Sequence, residues 1–190
     1  PGALPGQSEY VAAKLARARR EPEALRDGSG GAQAVRDVVA IIEAEAPVHM
    51  DRVEAALADA WQVGRLTTRA REAIGSIIAH TVDSGQAIRD GEFLCSKHGP
   101  GLLGDRLRVP SHGAGEAREI EQIHPAEIAN AAKAVLSQQF SMPVTALCSE
   151  VAKVFGIARV TARVEGAIRV GVERLAAEGG CRLDGDQVGL

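Results

Sequence analysis

Four arginines carry the best case for chemistry in this chain. Arg65 and Arg69 flank Thr67, and Arg159 and Arg163 flank Thr161 in the same spacing, shifted by 94 (65 + 94 = 159). A guanidinium presents a planar fork of N–H donors that matches two phosphate oxygens, and a hydroxyl adds a further donor. At the start of a helix the first backbone N–H groups are also free to meet an anion. Arg-x-Thr-x-Arg at such a place is therefore a phosphate-contacting pattern, and its chemistry is binding. Arg71, Arg169 and Arg174 add charge further along, and Arg89 and Arg182 fall beside two Asp-Gly pairs. The competing reading is structural: Glu72, Glu165 and Glu173 stand close enough in sequence to pair with these arginines.

The other chemical candidates are weaker. Gly99-Pro100-Gly101-Leu102-Leu103-Gly104 fits G-x-G-x-x-G, but a dinucleotide site needs a strand before and a helix after, within a βαβ unit, and this run reads as loop. Cys95, His98, His112 and His124 could be drawn as a zinc set, yet His112 and His124 do not make a recognised second half. Cys148 and Cys181 read as small buried residues, and His49 and His80 as ordinary surface or helix-end residues. There is no P-loop, no H-E-x-x-H, no G-x-S-x-G, and no defensible pair of carboxylates. The sequence therefore leads us to expect no catalytic residue, metal or cofactor.

The elements that must position the arginines occur twice. Residues 37–94 align with 131–188 without a gap. Ala73-Ile74 falls on Ala167-Ile168, Gly85 on Gly179, and Asp90-Gly91 on Asp184-Gly185. In the first copy, Val35, Val38, Val39 and Ile42 mark an amphipathic helix that Pro47 ends. Asp51 with Glu54 signals the start of a second helix that buries Val53, Ala56, Leu57 and Trp61. Gln62-Val63-Gly64 makes a tight connection to a third helix, capped by Thr67 or Thr68 and stopped by Gly85. Asp90-Gly91 then turns a hairpin. The second copy repeats the plan. A helix runs from Pro125 to about Gln138, a second follows Thr145, a third starts near Thr161, and a hairpin turns at Asp184-Gly185. Three helices and a hairpin, with the second and third forming a helix-turn-helix, is the order of a winged helix.

The expected fold class is thus mainly α with short β-hairpins, arranged as tandem winged-helix domains. The expected boundaries are an N-terminal helix and flexible segment over 1–30, copy one over 31–96, a linker over 97–122 and copy two over 123–190. The N-terminal helix is read from Ser8 to Arg20, with Lys14, Arg17, Arg19 and Arg20 on one basic side. Gly28-Ser29-Gly30-Gly31 reads as a joint, and Arg106–Pro110 as an extra strand on the first wing. A chain that opens this way looks like a piece of a longer protein.

Composition bounds the partners. The net charge is −3. By segment, residues 31–96 carry 6 basic and 10 acidic side chains, and residues 123–190 carry 7 of each. Nucleic acid would thus have to be met by a local basic patch. Aromatics are only 3%, so the cores must be built from Ala, Val, Ile and Leu. No apolar run is long enough to span a membrane, and no signal-peptide pattern is present. Three widely spaced cysteines fit reduced thiols, and a cytoplasmic location is expected.

Glu45-Ala46-Pro47-Val48-His49, followed by Trp61-x-Val63-x-Arg65-x-x-x-Arg69, resembles the uncharacterised domain near the C-terminus of large bacterial proteins related to superfamily I DNA and RNA helicases. The stretch from Ile123-His124-Pro125-Ala126-Glu127-Ile128 through Phe155-Gly156-Ile157-x-Arg159 resembles that family's last segment. The likeness spans most of residues 31–190. Copy two departs from it where Ser141-Met142-Pro143 replaces the Pro-Val-His run. The resemblance implies an accessory module of a helicase-related protein, with helicase domains upstream as partners and nucleic acid, duplex DNA favoured, as ligand. The expected contacts are Arg65, Thr67, Arg69, Arg159, Thr161 and Arg163, with Arg89 and Arg182 at the hairpins. A protein-docking or structural module without DNA contact is the alternative.

Overall fold

A computed structural model describes residues 3–16, 18, 20–98, 103–111 and 117–190. Within them the chain is mainly α-helical with small sheets, and it divides into two compact units. Val11–Leu102 carries the first copy. Pro1–Tyr10 together with Leu103–Leu190 carries the second.

Regular structure begins with β1 (Gln7–Tyr10), not with the helix expected over Ser8–Arg20. β1 pairs in parallel with Leu107–Pro110, about a hundred residues on, with Gln7 opposite Leu107. That pairing also corrects the assignment of Arg106–Pro110 to the first wing. The described residues between Tyr10 and Pro22 are irregular, and side chains take some of their backbone groups: Ala13 N–H donates to buried Glu45 (2.8 Å), and Arg20 donates to the Ala16 carbonyl (2.9 Å). Arg17 and Arg19, of the expected basic face, lie outside the described residues.

The first-copy unit continues through α1 (Pro22–Arg26), α2 (Gly31–Glu45), β2 (Val48–His49), α3 (Met50–Ala60), α4 (Thr68–Asp83), β3 (Ala87–Asp90) and β4 (Phe93–Ser96). The second-copy unit holds β5 (Leu107–Pro110), a short 3-10 turn (Ile120–Gln122), α5 (Pro125–Gln139), β6 (Ser141–Pro143), α6 (Val144–Val154), α7 (Ala162–Ala177), β7 (Arg182–Asp184) and β8 (Gln187–Gly189). All three long helices repeat at both ends with the shift of 94 (31 to 125, 83 to 177). Each copy closes on a three-stranded antiparallel sheet, ordered β2-β4-β3 in one and β6-β8-β7 in the other.

Each unit has its own core. Val38, Ile41, Ile42, Val53, Leu57, Trp61, Ile74 and Leu94 fill the first; Ile128, Leu136, Leu147, Val151, Phe155, Ile168 and Val172 fill the second. Full burial of each such side chain contributes about 1.5–3 kcal/mol. The helix pairs meet differently. In the second copy Gly171 lets α7 approach α5 so closely that a Cβ there would sit 2.4 Å from the Ile128 side chain. The positions equivalent to Ile128 and Gly171 are Ala34 and Ile77 (34 + 94, 77 + 94), so the large and small residues trade helices.

The connections that aim the third helices are also repeated. After α3, Gln62 is left-handed (φ 53°), and after α6 Gly156 takes the same place (φ 73°). In both, the next residue's N–H reaches back to close a Schellman motif: Val63 to the Ala58 carbonyl (2.8 Å) and Ile157 to the Ala152 carbonyl (2.9 Å). The left-handed residue in the first connection is thus Gln62 and not Gly64. Thr67 and Thr161 cap α4 and α7, each hydroxyl accepting from the N–H three residues on at 3.3 Å. Thr68 lies inside α4. The second helix of copy one is capped by His49, whose Nδ1 accepts from Asp51 N–H (3.2 Å), and not by Asp51 itself. In copy two α6 starts at Val144, ahead of Thr145. The hairpins turn one residue later than an Asp-Gly centre predicts. Asp90 pairs with Phe93 and Asp184 with Gln187, so Gly91 and Gly185 are the first central residues. Only they are left-handed (φ 58° and 57°), as in type II′ turns.

Candidate nucleic-acid interface

The connections and caps place the arginine pairs at matching points. Arg65 and Arg159 lie in the turns before α4 and α7. Both are exposed, and among the described residues neither has an ion-pair partner. Arg69 and Arg163 follow in the first turns of the helices, one turn on from the first arginine. Each threonine hydroxyl accepts one cap hydrogen bond and keeps its own hydrogen as a donor.

The second arginine of each pair meets a carboxylate. Arg163 Nε lies 2.9 Å from Glu121 Oε1, and its Nη2 lies 3.5 Å from Glu119 Oε2. Arg69 makes no ion pair among the described residues. It stands close to Asp27, whose carboxyl is held below its ordinary range first by hydrogen bonds from Ser29 and then in part by the charge of Arg69. Asp27 and Glu121 are equivalent under the shift (27 + 94 = 121), just outside the span in which the two copies align. Arg69 also stands on the wall of a groove of about 810 Å³ together with Arg26, Asp27, Val35, Ser76 and Ile77.

The remaining basic residues are spread out. Arg71 pairs with Glu54 of α3 (3.4 Å), Arg169 with Glu165 and Arg174 with Glu178 along their own helix. Glu165 is the one carboxylate of the expected set that pairs. Arg89 Nε donates to the Gly91 carbonyl (2.9 Å) at the first hairpin turn, and Arg182 is exposed at the start of β7. The outer faces of the third helices carry little charge of the right sign. Glu72, Gly75, Ser76 and Ala79 are exposed on α4. Gly166, Val170 and Glu173 are exposed on α7, with Val170 at 51%. Such faces offer bases few donors, so whatever phosphate contact they support comes from the helix starts.

Each unit also buries charge that the sequence gave no reason to expect. Asp37 on α2 accepts from Arg20 Nε and Nη2 (both 2.8 Å), Gln33 Nε2 (2.9 Å) and Trp61 Nε1 (2.9 Å). Glu127 on α5 is fully buried. It accepts from Arg108 backbone N–H (2.7 Å), Arg108 Nη2 (2.7 Å) and both Arg118 Nη atoms (2.8 Å). The Arg118 guanidinium lies 4.2 Å from the Tyr10 ring centroid and 5.9 Å from that of Phe155. Burial pushes both carboxyls up, but their arginine partners and hydrogen bonds outweigh it and hold them below the ordinary range. Trp61 and Phe155 are equivalent residues, so each copy sets this aromatic position beside an acid–arginine pair, and the second-copy unit adds Tyr10. The only hint in sequence is an acid inside an otherwise apolar helix face.

Among the described residues no group of three His, Cys, Asp or Glu side chains could hold a metal ion. Cys95 is buried in β4, its thiol pushed up to about 11 by burial and by the Asp90 charge. His124 caps α5, its Nδ1 accepting from Ala126 N–H (3.1 Å). His112 and Gly99–Leu102 of the glycine run lie outside the described residues. No described helix is long and apolar enough to cross a membrane.

Residues 25–72, from α1 to the first turns of α4, match the profile of a family described as a protein of unknown function (DUF3320). No curated protein and no solved structure matches the chain.

Proposed function

We propose that this chain is a nucleic-acid-holding accessory module built from two winged-helix copies, acting beside the motor domains of a helicase-related protein. The carrying observation is the repeated helix start. An exposed arginine with no carboxylate partner among the described residues, Arg65 or Arg159, precedes a capping threonine and the first N–H groups of a third helix. That arrangement suits the phosphate backbone of duplex DNA. The order helix, strand, helix, helix, hairpin supports the winged-helix reading, in which the third helix and the wing face the duplex. Arg89 and Arg182 would then lie at the wings. The resemblance of the Pro47-Val48-His49 and Trp61–Arg69 runs supports the helicase context. No catalytic role, metal or cofactor enters the proposal.

A second reading, a protein-docking module, is favoured by one observation: the outer face of α7 is small and apolar around Gly166 and Val170. The two readings separate in a fluorescence-anisotropy titration with labelled mixed-sequence duplex at low salt. Holding nucleic acid requires that changing Arg65, Arg69, Arg159 and Arg163 together to Ala weaken binding by at least about tenfold, since an alanine neutralises no phosphate and releases no counterion. Equal affinity of wild type and the quadruple variant would leave the docking reading standing.

A further inference from the structure

The two helix starts are alike in sequence but not in charge environment. Among the described residues, Arg65 at α4 has no carboxylate partner, and Arg69 feels Asp27 without an ion pair. At α7, Arg159 has no ion-pair partner among the described residues either, but Arg163 is clasped by Glu119 and Glu121 at 3.5 and 2.9 Å. Both carboxylates come from one element, the 3-10 turn and the residue before it. Its shape is fixed locally: Glu119 N–H donates to the Gln122 side chain (3.2 Å), and Ile120 is buried in the core. The turn therefore holds two carboxylates at the guanidinium while leaving the pair in water, with Arg163 69% exposed. Two carboxylates round one guanidinium fill the places that phosphate oxygens would take.

We infer that the first copy takes the nucleic-acid backbone, and that Glu119 and Glu121 occupy the phosphate place at Arg163 in the second copy as a built-in competitor. This rests on the nucleic-acid reading above and adds which copy engages and what holds the other back. The contact is of a kind that a ligand can displace. Exposed ion pairs are worth up to about 1 kcal/mol each, so the competitor lowers affinity at the second copy by a factor of a few and does not shut it. The same geometry makes Arg163 a poor contributor in the resting protein, whatever its place in the repeat.

The test uses the full chain and labelled mixed-sequence duplex in anisotropy titrations over a series of salt concentrations. Glu119→Gln with Glu121→Gln keeps the side-chain shapes and removes both charges. The pair should tighten binding about fivefold and steepen the salt dependence by about one unit of slope, the signature of one more phosphate neutralised. That tightening should vanish when Arg163→Ala is added. Arg163→Ala alone should change affinity less than twofold, whereas Arg65→Ala should weaken it several-fold. Wild-type binding that the double Gln variant does not tighten, or a weakening in Arg163→Ala as large as in Arg65→Ala, overturns the competitor while leaving the nucleic-acid reading in place. Binding only by the double Gln variant overturns the inference, since the first copy should bind without it. Absence of binding by both proteins overturns both.

Discussion

The two copies share a frame and differ in how they neutralise what they bury. In the first-copy unit Asp37 faces one arginine and also accepts from Gln33 and from the indole of Trp61, and a second buried acid, Glu45, faces Arg52 at 3.4 Å. In the second-copy unit Glu127 faces two arginines, and the Tyr10 ring lies 5.4 Å from the Arg108 guanidinium and 4.2 Å from that of Arg118. The acids sit at different points of equivalent helices, and their arginines arrive from segments the repeat does not align. The frame is thus set by backbone devices at fixed places: the Schellman turns, the threonine caps and the hairpins. The charge inside is solved separately in each copy. The same holds outside, where equivalent arginines meet one carboxylate without an ion pair in one copy and two in ion-pair contact in the other.

The contrast can be broken most strongly at Glu127. Glu127→Ala leaves two buried arginines uncompensated and should cost about 3–5 kcal/mol. Asp37→Ala leaves the Trp61 N–H without an acceptor and Arg20 with backbone carbonyls only, and should cost about 1–3 kcal/mol. Urea unfolding followed by far-UV circular dichroism ranks the two, and equal costs would contradict the asymmetry. The helix contact is next in size. Gly171→Ala should cost about 1–3 kcal/mol, because its Cβ meets Ile128. Changing Ile128→Ala together with Gly171→Ile rebuilds the first copy's pair, Ala34 and Ile77. That double change should be less costly than Ile128→Ala alone, a coupling a thermodynamic cycle detects. The smallest effect is expected at Gln62, a left-handed residue where the second copy has Gly156. Gln62→Gly should stabilise the protein by about 0.5–1 kcal/mol in the same urea experiment.

Much of the frame was legible because it depends on local chemistry. Thr67, Thr161, Gly85 and Gly179 act where their capping and left-handed preferences place them, and the apolar periods mark all three helices of each copy. What escaped depends on distant partners. Gln7–Tyr10 becomes a strand only because Leu107–Pro110 lies beside it, and nothing in a four-residue window states that. For Asp37, Glu45 and Glu127 the helical period shows at most an acid among apolar neighbours and points to no partner. Their burial follows from Arg20, Ala13, Arg108 and Arg118, all outside the helical period. At the candidate interface the arginines and threonines were legible from their spacing. The carboxylates facing them were not, since Asp27, Glu119 and Glu121 lie beyond the aligned span.

The central claim is that the exposed arginines before the third helices meet phosphate. The salt dependence of duplex binding tests it most directly, measured by anisotropy for wild type and for the quadruple variant Arg65→Ala, Arg69→Ala, Arg159→Ala, Arg163→Ala. The account predicts that wild-type affinity falls steeply with salt and that the variant's slope is shallower by about two units or more, because fewer phosphates are neutralised. Parallel slopes with equal affinities would contradict it.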